Sequence, residues 1–405
     1  MELDAQLERF ANQYRMQERV PVRLVLWNGR QIDFSEAPHV TLTLRRPEAV
    51  RYFLKPSLDS LGEGFVEGDL EIAGKIAEII RIAETLSRDR QSPKRWAWVR
   101  SYRHTRRSDA AAIAYHYDLS NDFYQLWLDP QMVYSCAYFR DDGDDLALAQ
   151  PQKLDLICRK LMLKPGERFL DIGCGWGALV CWAAKHYGVH ATGITLSQQQ
   201  LDYARKRVEA EGLSDRITLQ LCDYRDLPGE GCFDKIASVG MVEHVGHKNL
   251  PIYFRQIRRL LCEGGLLLNH GIATSEADNS ADVVGGGDFI ARYVFPEGET
   301  PTLSHVLKEM GQAGFEVSDV ESLRPHYAKT LWHWFEGLEA KRTQAEALVG
   351  AKRTRIWYLY LAGCAYAFER GWISVFQILA HKHAGGLTAL PWTREHLYVP
   401  ERLKI

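Results

Sequence analysis

Apolar and polar residues alternate with a period of two along VRLVLW (22–27) and again along VTLTL (40–44), around an Asn28-Gly29 turn. That alternation predicts a short antiparallel hairpin between about Val22 and Thr43. The period then lengthens, and from Ile72 to Leu86 apolar residues recur every three or four positions, which predicts an amphipathic helix. Between the two lies LGEGFVEGDLEI (61–72), rich in glycine and carboxylates. From Leu156 onward short apolar segments alternate with helical stretches. Strands are expected at Arg168 to Ile172, Val189 to Thr195, Ile217 to Leu221, Lys235 to Val239 and Gly265 to Asn269. Strand and helix in strict alternation predict an α/β fold with a doubly wound sheet. Beyond Thr302 the pattern adds helices, a strand at Phe315 to Val320, and an aromatic-rich run from Ile356 to Ala380 that is expected to close the core.

The resulting organisation is a small N-terminal α+β domain at 1–90, a linker at 91–109 and a larger domain at 110–405. Around the linker, RDRQSPKRWAWVRSYRHTRR (88–107) gathers arginine and lysine about Trp96, Trp98 and Tyr102. A solvated connector accounts for that composition. A sharper reading has the cations meeting lipid phosphates while the indoles sit at headgroup level, worth about 1 kcal/mol per basic residue near an anionic surface.

With 405 residues the chain is long enough for two domains, and a formal net charge of -2 excludes any global attraction to nucleic acid. The eight cysteines form no CxxC pair and no zinc-ligand spacing, so reduced thiols and no metal centre are expected. The start, MELDAQLERFANQYRM, lacks the basic end and apolar run of a secretory signal. The longest uncharged apolar-aromatic stretch, Trp357 to Phe368, is too short to span a bilayer. The expectation is a cytoplasmic protein that would reach a lipid substrate transiently, at the inner face of the cytoplasmic membrane.

Chemistry concentrates at RFLDIGCGWGALV (168–180): an apolar strand, Asp171, glycines at 173, 175 and 177, then a helix opening. Glycines at such a turn let the backbone approach a ligand, and the helix start presents free N–H groups to it. A dinucleotide enzyme would carry an acidic residue about 20 positions on, for the ribose hydroxyls. This chain has GITLSQQQ there, which argues against a dehydrogenase; Thr195, Ser197 and Gln200 can hydrogen-bond a ribose or a methionine tail. Asp223 and Tyr224, after the third strand, suit an adenine, or they form an ordinary strand-end turn.

In the order HYDLSNDFYQLWLDPQMVYSCAYF, LDIGCGWG, GITLS and VGMVEHVG, the chain strongly resembles the cyclopropane-fatty-acyl-phospholipid synthase family over roughly residues 110 to 385. The front domain is similar to the additional N-terminal domain of the bacterial phospholipid enzymes. The resemblance implies a Rossmann-like class I methyltransferase sheet and S-adenosylmethionine as cofactor, in a pocket lined by Tyr134, Ser135, Gly173, Gly175, Thr195, Leu196, Gln200, Asp223 and Tyr224. It also implies a bicarbonate ion held by Cys136, Glu243, His270, Ile272 through its backbone, and Tyr327. The implied substrate is an unsaturated phospholipid in the membrane, and the implied reaction is ring formation across its double bond. Singly, His270 and Tyr327 also read as core residues, Glu243 as part of a helix cap and Cys136 as a small buried hydrophobe. Cys364, in YLAGCAYAF, falls where the family carries a cysteine once proposed as catalytic, although an apolar helix makes a thiol inert.

Alternatives within reach are a C-methyltransferase that leaves a methyl branch on a lipid olefin, an N-methyltransferase acting on a small amine, and a non-catalytic binder. A front domain with apolar surface and no reaction centre suggests a homodimer. The loop SEADNSADVVGGGDFIARY carries Phe289 where the family has tryptophan, and the tail from HKHAGG onward has no function assigned to it.

Overall fold

The computed structural model describes residues 2–15, 20–54, 56–88, 119–274, 287–294, 299–383, 385 and 390–398. The basic aromatic linker 91–109, most of the loop before RYVFPEG and the last residues of the tail lie outside them. Two compact units emerge. One combines residues 1–101 with 280–296 and 338–366, and the other holds 102–279, 297–337 and 367–405. A linear division at residues 90 and 110 would have assigned those two later segments to the larger domain.

In the first unit a four-stranded sheet runs in the order β2-β1-β3-β4, from β1 (Val22–Val25), β2 (Gln31–Asp33), β3 (Val40–Leu44) and β4 (Leu70–Ala73). The Asn28-Gly29 turn forms as expected, with Gly29 at φ +83° and the Leu26 N–H donating to Arg30 O at 2.8 Å. The hairpin partner of β1, however, is Gln31–Asp33. VTLTL runs parallel to β1 on its other edge, Val22 opposite Val40. Alternation fixes which face of VTLTL is buried, and it does not fix direction or neighbour. Ile72 likewise belongs to β4, opposite Leu42, and the expected helix begins only at Ile76 and runs to Arg88. Gly74, at φ +133°, ends the strand where an added Cβ would stand 3.1 Å from Val40 Cγ2. A helix at Glu2–Arg15 buries Leu7, Phe10 and Tyr14 with the sheet's inner residues Leu24, Ile32, Phe34 and Leu42.

The second unit is built on a seven-stranded sheet, order β10-β11-β9-β8-β5-β6-β7. Five strands are parallel: β5 (Arg168–Ile172), β6 (His190–Thr195), β7 (Ile217–Leu221), β8 (Phe233–Val239) and β9 (Leu261–Ala273). β11 (Ser374–Lys382) joins β9 antiparallel, and β10 (Phe315–Ser322) pairs antiparallel with β11 at the edge. This is the doubly wound α/β architecture expected. Strands covered on both faces read as apolar runs; all nine residues of β11 are buried. β9 outruns its expected end, so that His270 and Ile272 still lie in the sheet. The aromatic-rich run 356–380 divides between a helix, Ala351–Arg370, and β11. No described helix is long and apolar enough to cross a membrane.

Candidate active site

β5 ends at Ile172 and the chain turns through Gly173, Gly175 and Gly177, at φ +81°, +53° and +83°, before the helix Ala178–Tyr187. All three values favour glycine. At Gly173 a Cβ would also lie 2.6 Å from Met241 Sδ, so the turn and the segment after β8 touch at van der Waals range only because no side chain intervenes. The Gly173 and Cys174 N–H groups donate to Ile194 O, each at 2.9 Å, and tie the turn to β6.

Beside this turn lies a cavity at the carboxyl ends of β5, β6 and β8, where ligands bind in open α/β sheets. Tyr134, Ser135, Gly173, Gly175, Thr195, Leu196, Gln200 and Tyr224 all line it. Thr195 and Gln200 are buried and joined, Oγ1 to Oε1 at 2.9 Å, and Ser197 Oγ caps the following helix by accepting from the Gln200 N–H. Asp223 is placed differently. Its neighbours Cys222 and Tyr224 face the cavity, while its own carboxylate accepts from Arg225 Nε at 2.8 Å and Nη2 at 2.6 Å and caps the turn Tyr224–Asp226.

Two residues on the cavity wall, Lys153 and Asp171, were assigned no role from the sequence. Lys153, 2% exposed, donates from Nζ to Ser135 Oγ at 2.8 Å, and burial pulls its ammonium down to about 8. Asp171, also 2% exposed, has no partner for Oδ1 among the described residues, and burial pushes its carboxyl up to about 7. A lysine inside the helix Leu146–Lys160 reads as a solvated face, so nothing local marks Lys153. Asp171 did carry a signal, since it ends the strand directly before the glycine turn.

A second group of buried polar residues centres on β9. The Ile272 N–H donates to Glu243 Oε1 at 2.7 Å, while Glu243 Oε2 is enclosed without a partner among the described residues. Burial drives Glu243 up to about 7. A side chain at Gly271 would collide with Val242 Cγ1 at 2.2 Å, and its Cβ would stand 3.6 Å from Glu243 Oε2, so the close seat of this carboxylate depends on glycine there. His270, 2% exposed, is held well below its ordinary value by burial, with the charges of Lys153 and Lys160 adding, and is therefore neutral. Its Nδ1 lies 3.2 Å from Gln377 Nε2, and its Nε2 is buried and unpartnered among the described residues. An amide N–H on Nδ1 places the imidazole proton on Nε2. Gln377, fully buried on β11 directly opposite His270, was also missed, because cross-strand register is not written in either segment.

Cys136 and Tyr327 converge on Leu323. Cys136 Sγ donates to Leu323 O at 3.7 Å and to Ala137 O at 3.2 Å, and the Tyr327 N–H donates to Leu323 O at 3.0 Å. Leu323 in turn donates to Val375 O, and Val375 is the residue opposite Ile272. Of the five residues expected around an anion, Glu243 is bonded directly to Ile272 and His270 lies two residues before it on β9, while Cys136 and Tyr327 are linked to the neighbouring β11 through Leu323. Burial raises the Cys136 thiol far above its usual range, so it stays protonated. Chemically the group is unusual for what burial does to it: carboxyl, imidazole and thiol are all driven toward neutral forms. A pocket of neutral donors does not repel an anion. Cys364 falls in the first unit, buried in the helix Ala351–Arg370 and pushed by burial up to about 12.

Residues 104–378 match the family described as mycolic acid cyclopropane synthetase, and residues 11–91 match a domain of unknown function (DUF7884). The chain is 53% identical over 386 residues to a probable fatty acid methyltransferase of Pseudomonas putida, covering 94% of this chain and 96% of that one. It is 40% identical over 264 residues to the cyclopropane-fatty-acyl-phospholipid synthase of Escherichia coli K12, covering 65% of this chain and 66% of the relative. Among solved structures, the mycolic acid cyclopropane synthase CmaA1 complexed with SAH and CTAB matches with a TM-score of 0.64 at 36% identity, over 67% of this chain and 98% of that one.

Proposed function

This chain belongs to the mycolic acid cyclopropane synthetase family, and from that membership we propose that it transfers a methylene from S-adenosylmethionine to a cis double bond in a phospholipid acyl chain, closing a cyclopropane ring with bound bicarbonate as base. Support for the cofactor comes from the cavity at the glycine turn and from the related synthase in complex with SAH. Support for the phospholipid comes from the Escherichia coli relative. The observation that carries the reading is that two buried groups near the end of β9, Glu243 and His270, each keep an atom without a partner among the described residues, Oε2 and Nε2, and are each driven toward the neutral form. Buried polar atoms without partners call for a physical account, and a bound anion accepting from both supplies one here.

S-adenosylmethionine supplies an electrophilic methyl on sulfur. The alkene must be aligned with that methyl in a dry cavity, where positioning contributes much of the rate; Tyr134 on the cavity wall, backed by the buried rings of Tyr124, Trp127 and Trp334, suits that task. As the new carbon–carbon bond forms and the sulfur–methyl bond breaks, positive charge develops on the acyl chain. One proton must then leave the transferred carbon so that its electron pair closes the ring, and bicarbonate supplies the base. Glu243, protonated below about 7, donates from Oε2 and His270 donates from Nε2, so the two hold the anion without like-charge repulsion. The enzyme works at a membrane surface on the cytoplasmic side, as a homodimer, with the basic aromatic segment 88–107 meeting the lipid headgroups.

The Pseudomonas putida relative favours a second reading, transfer that stops at a methyl branch. One experiment separates them. The full chain is incubated with S-adenosylmethionine, bicarbonate and vesicles of cis-unsaturated phospholipid, and the released acyl chains are analysed by mass spectrometry and NMR. A gain of CH2 with loss of the olefin and appearance of ring protons supports the synthase. The same gain with the olefin retained supports methylation, and unchanged lipid overturns both.

A further inference from the structure

We propose that the far end of β11 carries a divalent transition-metal site formed by Glu316, His381 and His383, separate from the reaction centre. The register places Glu316 of β10 directly opposite His381 of β11. Side chains two apart share a face of a strand, so the HKH sequence presents both imidazoles to that carboxylate and turns Lys382 away. Lys382 indeed pairs elsewhere, with Glu263 Oε1 and Leu261 O, each at 2.9 Å.

The distances suit a metal. Glu316 Oε2 stands 3.3 Å from His381 Nε2 and 3.6 Å from His383 Nδ1, and the three ligand atoms all lie within 4.8 Å of one another. A tetrahedral ion with bonds of about 2.0–2.1 Å holds neighbouring ligand atoms about 3.3 Å apart. A plain ion pair would account for one histidine beside Glu316. It does not account for two imidazole nitrogens turned to the same carboxylate oxygen.

His381 is also fixed as a metal ligand requires. It is 4% exposed, and its Nδ1 lies 3.0 Å from Ser318 Oγ. When a metal takes Nε2, the ring N–H falls on Nδ1 and is donated to that hydroxyl. Metal-bound histidines are oriented in this way by a partner on the other nitrogen. Ser318 sits at the irregularity in the β10–β11 register between Val317 and Asp319, and a bulge is a common means of re-aiming a side chain. Two imidazoles and one carboxylate suit zinc, cobalt, nickel or copper, and offer too few oxygens for calcium or magnesium. Glu316 and His383 are exposed, which leaves the ion's remaining positions to water. None of the three lines the cofactor cavity, and His381 is four residues along β11 from Gln377, about 13 Å at the strand rise. The role is therefore structural: the ion clips the edge strand β10 to β11 at its irregular end.

The test uses the full chain after chelator treatment, titrated with Zn2+ alone by calorimetry. One Zn2+ per chain is expected, together with a rise in Tm on addition. His383→Ala, an exposed change, should weaken binding at least tenfold and abolish the Tm rise, while Ser318→Ala should weaken it about tenfold through the lost orientation of His381. Because the chain holds eight free cysteines, Co2+ absorption is read as well, and no thiolate charge-transfer band is expected. Equal Zn2+ binding by wild type and His383→Ala, a thiolate band of full intensity, or the absence of saturable binding each overturns the site. S-adenosylmethionine binding should be the same in all three proteins, so failure here does not bear on the proposed reaction.

Discussion

The buried acidic groups of the first unit and those beside the glycine turn and β9 in the second are handled in opposite ways. In the first, Asp69 is 4% exposed and fully engaged: Arg46 Nε at 2.6 Å, Arg51 at 3.7 Å and the Tyr52 hydroxyl at 3.1 Å surround it. Burial works to raise its carboxyl, but the Arg46 and Tyr52 hydrogen bonds and the arginine charges hold it below the ordinary value. Glu84 accepts from the Tyr366 hydroxyl at 2.5 Å. In the second unit Asp171 Oδ1, Glu243 Oε2 and His270 Nε2 are equally enclosed and have no partners among the described residues. Leaving a buried polar group unpaired costs about 1–3 kcal/mol. A bound ligand that supplies the partner would offset that cost, which is what the proposed anion would do at Glu243 and His270.

The comparison breaks most visibly if the open groups prove dispensable. Glu243→Ala removes a group proposed to hold the anion, and turnover should fall by about 10²–10⁴ with the Kd for S-adenosylmethionine unchanged, as measured by product formation and calorimetry. A turnover within a few-fold of wild type would sink the assignment. Next in size is the response to pH. Glu243, raised to about 7 by burial, is protonated below that pH and ionised above it, so kcat/KM for bicarbonate should fall about tenfold per unit above 7. Glu243→Gln stays neutral at every pH and should lose that limb, leaving only a later one near the Lys153 value of about 8.

Gln377→Leu sharpens the role of a residue whose side-chain amide bonds to His270. With Nδ1 free to carry the proton, the KM for bicarbonate should rise about five- to tenfold while S-adenosylmethionine binding holds. Nitrogen NMR of His270 should show its proton moving from Nε2 to Nδ1; a purely structural glutamine would leave that signal in place. Smallest in the ordering is the paired side. Tyr366→Phe strips Glu84 of its hydroxyl partner and should lower stability by about 1 kcal/mol in chemical denaturation, with turnover per folded molecule unaltered.

Legibility in the sequence followed locality. Strands 168–172 and 217–221 were readable to the residue, the first as an apolar run buried after Arg168 and the second as an alternating edge strand, each bounded by turn residues. The glycine turn was readable for the same reason, since positive φ at 173, 175 and 177 demands glycine. Ile72 was misplaced into a helix because an apolar residue four positions before Ile76 fits a helical period as well as a strand end. Cys136, Glu243, His270 and Tyr327 were singled out only by resemblance to a family, because alone three of them look like core residues and Glu243 like part of a helix cap, and the groups around them stand on other elements.

By itself, then, the sequence determined the doubly wound α/β sheet, the turn that opens the cavity and the family, all of which rest on patterns that a short stretch of chain carries. Tertiary structure alone decided that VTLTL runs parallel to β1, that Asp223 turns to Arg225, that Gln377 meets His270 and that Glu316 meets two histidines. It also decided protonation, because whether Glu243 or Lys153 is charged near neutral pH depends on how much water the fold removes from it. Register and desolvation are properties of segments brought together from far apart in the chain, and no local pattern encodes them.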